Sequence, residues 1–548
     1  MGWLRRVFGL EPKTESEIKV TASTTTDTQY SYPTGLYDGS NFWGGVQGQV
    51  DEVAALDYWA LRQRSAALFY TNSYGRGIIR RMVTDIIHAG LEPEATPEEK
   101  VLGLPEDSLQ AWTEDIETRW RLYGTSKDIV DYKGRREEGE LQAQIYMEAL
   151  VEGDCLVVNR IDSATGLPQI EIVNGGRVRT PTDRFMEEDL VDGVKLDKRG
   201  RHLGYWVAKG TNEVFDDRFE YIPAFGAKSG RRVAWMVYGP DKREDGVRGE
   251  PLLSIAIQPL NEISDYRGNT QLKKKINAMV ALVVEKDQDV PSSRPITGGA
   301  VKRGTVTADT TGATTPIQFN QLMPGMIVER LQPGEKMKSF VTNGTDDTFG
   351  DFEAAIMVGL AWSLQIPPEI LLMSFNKNYS ASQAAKGKWQ TYITKERPRF
   401  AAQHCKNHYE EWLTASVLAG DIQAAGFIDA AVDPRRYAER QAWLLTEWWG
   451  QVEPTVDVVK QVTGAKTMVA EGWSTNARVT RELNGSKWSH NIKRLIKENQ
   501  LKADAMRPLL ELQNEYGQEA VTAMLNAHPE IIAAHLLAAA QDEREIES

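Results

Sequence analysis

The chain has 548 residues, room for three or four domains, and its 41 % hydrophobic and 26 % charged composition with 15 tryptophans excludes wholesale disorder. A formal net charge of −13 argues against broad, sequence-independent DNA affinity, which comes from lysines and arginines displacing counterions from phosphates. The two cysteines, Cys155 and Cys405, stand far apart without metal spacing, so they read as reduced thiols of a cytosolic compartment rather than a disulfide framework.

The opening "MGWLRRVFGL" is too short in its apolar part for a signal peptide, and Arg6 breaks the myristoylation pattern. No run of about 18 apolar residues occurs, so the chain is expected to be soluble and not membrane-anchored. Residues 11–48, rich in Thr, Ser and Gly, read as a flexible arm. From Tyr58 the pattern is helical, with a break near Thr71–Tyr74 and a second helix placing Ile79, Met82, Val83 and Ile86 on one side before Gly90. Residues 140–240 change character: "DCLVVNRID", "PQIEIVN", "GVKLDKRGRHLGYWVAK" and "RRVAWMVYG" are short β-type runs between Gly, Asp and Pro turns, which makes an α+β body.

After Pro251 a long helix is expected, with Leu272, Ile276, Met279, Val280 and Val283 at helical spacing and a span of about 45 Å. Residues 288–340 return to β-type runs with Gly, Pro and Thr turns. Phe352, Ile356, Leu360 and Leu364 then form an i, i+4 ladder that Pro367 and Pro368 terminate. Ser380 to Gln383 has the form of a capping box, opening a helix that runs toward Pro398 with Gly387 in its interior. Farther on, Cys405, Tyr409, Trp412, Leu413 and Val417 share a helix face that ends at Gly420. The last hundred residues are mostly helical, with breaks at Gly472, Asn484-Gly485, Pro508 and Pro529, and close on the acidic "QDEREIES".

Catalytic constellations fail one by one. Gly387-Lys388 is not a phosphate loop, because Ser382 stands where the first glycine should be and Trp389 where a magnesium-binding hydroxyl is needed. "GGVQG" at 44–48 lacks a preceding strand and the full glycine spacing of a dinucleotide loop. Glu187, Glu188 and Asp189 read as a solvated turn, and no Gly-x-Ser-x-Gly elbow is present. His404 and His408 stand at i, i+4 with Glu411 a turn on, the one arrangement that invites a metal test. Cys405 occupies the place where a zinc protease carries its glutamate, so the pair reads as two polar residues beside a core stripe. No catalytic residue, metal ligand or cofactor is assigned.

Several stretches, in collinear order over about residues 55–500, resemble the portal proteins of tailed bacteriophages, specifically the lambda-like group. They are "LRQRSAALFYTNSYGRGIIRRMVTDIIHAGL", "EGDCLVV" at 152–158, "GVKLDKRGRHLGYWV" at 193–207, "VRGEPLL" at 247–253, "NYSASQAAKGKWQTYI" and "HYEEWLTASVLAG". The N-terminal arm, residues 290–340 and the last fifty residues depart from the pattern. The resemblance implies a non-enzymatic α+β portal fold assembled as a dodecamer-type ring around a DNA channel at one capsid vertex. A nucleotide-dependent packaging enzyme is the alternative, which the failed phosphate loop discourages.

On the same resemblance the chain divides into a flexible arm (1–54), wing (55–250), first stem helix (251–286), clip (287–345), second stem helix (346–373), tunnel loop and helix (374–397), further wing (398–450) and helical crown (451–548). Asn376, Lys377, Asn378, Tyr379, Lys386 and Lys388 would line the DNA path; Lys273, Lys274 and Lys275 would either line it along the stem or form a solvated helix face. The implied partners are further copies of the chain, double-stranded DNA, the terminase large subunit, major capsid protein and scaffold, and the head–tail connector. The implied location is the virion's portal vertex, with the host cytoplasm during assembly.

Overall fold

The computed structural model describes residues 50–209, 218–279 apart from 243 and 245, 283–286, 335–338, 349–373, 379–452 and 458–517. The expectations for the arm at 11–48, for most of 287–345, for Asn376 to Asn378, and for Pro529 and the acidic end fall outside these residues.

In chain order, α1 (Val50–Thr71) and α2 (Ser73–Ile86) flank a break at Asn72, whose side chain accepts from the amides of Tyr74 and Gly75. Ile79, Met82 and Ile86 are fully buried, the stripe their spacing implies. The helix α1 begins inside the stretch expected to be arm. Next come β1 (Glu92–Ala95), α3 (Glu106–Thr125) and α4 (Glu138–Glu152). The β-type runs become β2 (Asp154–Ile161), β3 (Pro168–Asn174), β4 (Leu190–Val191), β5 (Val194–Leu196), β6 (His202–Ala208), β7 (Phe219–Pro223) and β8 (Ala234–Tyr238).

The long helix α5 runs Ile257–Met279 behind a 3₁₀ turn at Leu252–Ala256, shorter than its periodicity implied. Val283 is not helical; it opens β9 (Val283–Lys286), which pairs antiparallel with β10 (Glu335–Lys338). The apolar helix α6 spans Phe349–Ser363, and Gln365 at φ 57° turns the chain before Pro367. From Tyr379 the backbone stays helical to Ala419: α7 (Tyr379–Phe400), a π turn at Ala401–Cys405, then α8 (Lys406–Ala419). Pro398 therefore does not end the helix. It lacks the N–H of one i→i−4 bond, and the π turn begins three residues later. α9 (Tyr437–Leu444), β11 (Thr446–Trp449), α10 (Val458–Ala470), α11 (Asn476–Asn484) and α12 (Trp488–Tyr516) complete the described chain. Gly420, Gly472 and Gly485 stop helices at positive φ as expected, whereas α12 passes through Pro508.

The residues fall into two compact units. The first comprises 1–81, 145–158 and 172–395. Its core gathers Leu156, Val158, Val173, Val194, Tyr205, Val207, Ile222, Ala234 and Met236, inward positions of a β3-β2-β8 sheet and a β4-β5-β6-β7 meander, together with Val178, which bridges to Val207 from outside the strands. Along α5, Ile257, Leu260 and Ile263 are buried, and Tyr266 lies 4.5 Å from Phe352 of α6, ring centre to ring centre. Tyr74 donates to Glu353 of the same helix.

The second unit comprises 82–144, 159–171 and 396–548. Its centre is aromatic: the ring of Trp120 lies 5.2 Å from Trp412, 5.6 Å from Tyr409 and 5.9 Å from Trp448. Antiparallel β1 and β11 pair Glu92 with Trp449 and Ala95 with Thr446. Arg397 donates to the carbonyls of Ile86 (2.8 Å), Asp85 (3.1 Å) and Gln451 (2.7 Å). Its guanidinium lies where a side chain at Gly450 would stand.

Candidate functional site

Three of the motifs that carried the resemblance meet at one buried carboxylate. Asp154, at the start of β2, is fully buried. Its Oδ1 accepts from Nη2 of Arg62 (2.7 Å) and of Arg248 (2.8 Å), and its Oδ2 from Arg248 Nε (2.7 Å), the Gly249 amide (3.0 Å) and Tyr58 Oη (3.1 Å). Burial alone would raise the Asp154 pKa, but the Arg248 and Arg62 guanidiniums outweigh it and hold the carboxyl below its usual range. Both guanidinium carbons lie 4.7 Å from the Tyr58 ring centre. "LRQRSAALFY", "EGDCLVV" and "VRGEPLL" are thus tied together by one charge network. The glycines are part of it: a Cβ on Gly153 (φ 88°) would lie 2.3 Å from the Gly249 carbonyl oxygen, and one on Gly175 would lie 2.1 Å from Asp154 Oδ1.

The helix that follows the expected tunnel loop is two-faced. Ala385, Trp389, Ile393, Arg397 and Phe400 are buried at i, i+4 and i, i+3 steps. The opposite side exposes Ala384, Gly387, Lys388, Thr391 and Lys395. Lys388 and Lys395 stand two turns apart, about 10 Å along one stripe. Lys395 carried no motif of its own and was not among the residues singled out in the sequence, although its seven-residue spacing from Lys388 is visible there. Lys386, half-buried, lies two residues and therefore about 200° around the helix from Lys388, so the structure separates the two. Tyr379 is the first residue of the helix and not part of a loop; Ser380 is likewise inside it, and neither side chain is among those described. Lys273, Lys274 and Lys275 all sit on α5, at successive 100° steps; Lys274 is exposed, and the side chains of the other two are outside the described set.

The two histidines do converge with an acid, but not the expected one. His404, in the π turn, and His408, on α8, face Glu138 at the start of α4, with His408 Nδ1 3.2 Å and His404 Nε2 4.0 Å from Glu138 Oε1. Burial pushes the His404 pKa down to about 3, so its imidazole is neutral. Glu411, also buried, is not in the cluster. Glu187 is half-buried and Glu188 and Asp189 exposed, on the turn before β4. No helix among the described residues is long and apolar enough to cross a membrane.

The family model for phage portal proteins of the lambda family matches residues 40–397. The portal protein of Escherichia phage N15 is 22 % identical over 455 residues, covering 80 % of this chain and 84 % of that one. Portal protein B of Escherichia phage lambda is 21 % identical over 450 residues, covering 79 % and 82 %. Among solved structures, the chain is similar to one from the virion of a native gene transfer agent particle (12 % identity, TM-score 0.39, covering 81 % of this chain and 94 % of that one). It is similar also to one from the neck of an empty particle (12 %, TM-score 0.40, the same coverage). The chain belongs to the lambda family of phage portal proteins, and its function is that of a portal. That family is structural and non-enzymatic.

Proposed function

We propose that copies of this chain close into a dodecamer-type ring at one capsid vertex, whose channel passes double-stranded DNA inward under the terminase and outward on ejection. The observation that carries the ring is α6. Of its 15 residues only Asp351 and Glu353 are charged. Met357, Leu360 and Ala361 are buried, yet Phe352, Val358 and Trp362 are exposed, Trp362 to 89 %. A helix apolar all round belongs inside something, and a second copy offers an equally apolar surface. A head-to-tail contact repeated around an axis closes a ring.

In this reading α5 and α6 are the stem helices, and β9 and β10 form the base of a clip at 287–345 that docks the terminase large subunit and later the head–tail connector. The remaining α+β body forms the wing toward major capsid protein and scaffold, and 451–548 the crown. The Lys388–Lys395 stripe faces the DNA, and the net charge of −13 keeps phosphate contacts loose. The ring forms in the host cytoplasm and ends in the virion.

Negative-stain imaging and sedimentation of the purified chain test the ring. The wild type should give annular particles of several hundred kilodaltons from its 61.4 kDa chains. Trp362→Glu should keep its circular dichroism and stay monomeric. Wild-type chains that remain monomeric at micromolar concentration would remove the ring, and normal rings from Trp362→Glu would remove α6 as the seam.

A further inference from the structure

We infer that Glu138, His404 and His408 form a buried site for a divalent transition cation, zinc above all, which pins the start of α4 to the π turn and α8. The three donor atoms lie within 4.8 Å of one another, and all three residues are buried.

The hydrogen-bond inventory requires something positive between them. Tyr123 donates its hydroxyl proton to the Pro168 carbonyl at 2.6 Å, so at 2.8 Å its oxygen accepts from His408 Nε2. His408 therefore carries its proton on Nε2 and turns the lone pair of Nδ1 toward Glu138 Oε1. Gln142 Nε2 donates to that same oxygen at 3.1 Å, and Gln142 is itself fixed by the Leu91 backbone on both sides (2.7 and 3.1 Å). Two acceptors facing one another in a dry interior need a proton or a metal ion between them.

Distances favour the ion. A charge-assisted N–H···O bond closes to about 2.7–2.9 Å, whereas the Nδ1–Oε1 separation is 3.2 Å. Two ligands bound at about 2.0–2.1 Å around a tetrahedral centre are themselves about 3.3 Å apart. His404 Nε2 stands 4.0 Å from Oε1, within the reach of small rotamer adjustments to the same centre. Glu138 Oε2 is buried without a hydrogen-bond partner. Chelation through both carboxylate oxygens would give it one and bring the donors to four. Two imidazoles and a carboxylate are the donor set of a borderline-soft ion, not of calcium or magnesium. Tyr123 and Gln142 then act as outer partners that fix the tautomer and the carboxylate. The π turn adds the register that sets His404 against the same acid as His408.

The test uses the full chain without a histidine tag. Protein as purified, and protein stripped with a chelator and re-equilibrated with zinc chloride, is assayed for metal by mass spectrometry; about one zinc per chain is expected. Cobalt chloride in place of zinc should give the visible absorption of a four-coordinate ion. Glu138→Gln and His404→Asn should each abolish stoichiometric binding, and Tyr123→Phe should weaken it by about tenfold or more. Should a ligand variant fail to fold, the metal content of the wild type decides. Substoichiometric zinc in the wild type under both conditions overturns the site and leaves a proton between Glu138 and His408. So does stoichiometric zinc that survives both ligand substitutions.

Discussion

Asp154→Asn is the sharpest test of the network that joins the first unit. The change keeps the shape and removes the charge, leaving Arg62 and Arg248, both buried, without their carboxylate. It also replaces one acceptor by a donor. If the amide takes the Oδ2 position, it faces Arg248 Nε, the Gly249 amide and the Tyr58 hydroxyl; at Oδ1 it faces Nη2 of both arginines. Either way at least two buried donors lose their acceptor, at about 1–3 kcal/mol each. That agrees with the roughly 3–5 kcal/mol for breaking a buried ion pair from one side. Glu152, 3.4 Å from Arg62 Nη1, offsets part of this. Set against a total stability of about 5–15 kcal/mol, the loss is large. A chain of two units does not unfold in one step, so a local readout is needed: hydrogen exchange in peptides covering 154–158 and 234–238, the paired segments of β2 and β8. A 3 kcal/mol loss raises exchange there by about a hundredfold. Changing Arg62 to Met as well removes one of the stranded charges and should recover part of the protection. Exchange within threefold of wild type in Asp154→Asn would refute the reasoning.

His202 supplies a pH dependence: burial first, then the charges of Lys242, Arg248 and Arg232, opposed by Asp154, push its pKa down to about 4. The unfolded chain takes up that proton near pH 6.5 and the folded one does not, so stability should fall as pH drops from about 6.5 to about 4, by at most about 3 kcal/mol. His202→Gln should flatten that part of the profile, and an unchanged denaturation midpoint profile would count against it. Gly153→Ala should yield insoluble or strongly destabilised protein, because the new Cβ meets the Gly249 carbonyl at positive φ; soluble protein with an unchanged thermal midpoint would contradict the close approach. Lys388→Glu with Lys395→Glu should leave the fold within about 0.5 kcal/mol, yet lower DNA packaging in vitro, the defect easing as salt shortens the screening length to about 10 Å at 0.1 M. Wild-type packaging by this double variant at low salt would show that the stripe does not face DNA.

What the sequence shows and hides follows from the range of each signal. Periodicity acts within two turns or a few strand residues, so the buried stripes of α2 and α8 and the strands β2, β3, β6 and β8 were legible. β1 and β11 were not. "EPEA" carries a proline and no apolar alternation, and becomes a strand only because "TEWW" arrives from the far end of the chain to pair with it. Pro398 and Pro508 misled for the opposite reason: the local cost of proline is real, but tertiary packing and a π turn carry the helix past the first, while no described contact accounts for the second. The histidine pair was visible at i, i+4, but the third member of its cluster lies 270 residues from His408, whereas the nearby Glu411 is not part of it. The same limit applies to Asp154. Three motifs were readable as strings, and none of them reveals that its charged residue is buried against the other two. The lysines of α7 reverse the lesson. At 100° per residue, Lys386 and Lys388 cannot share a helix face, whereas Lys388 and Lys395 must, so which lysines stand on one stripe was within reach of helical geometry once the helix was granted.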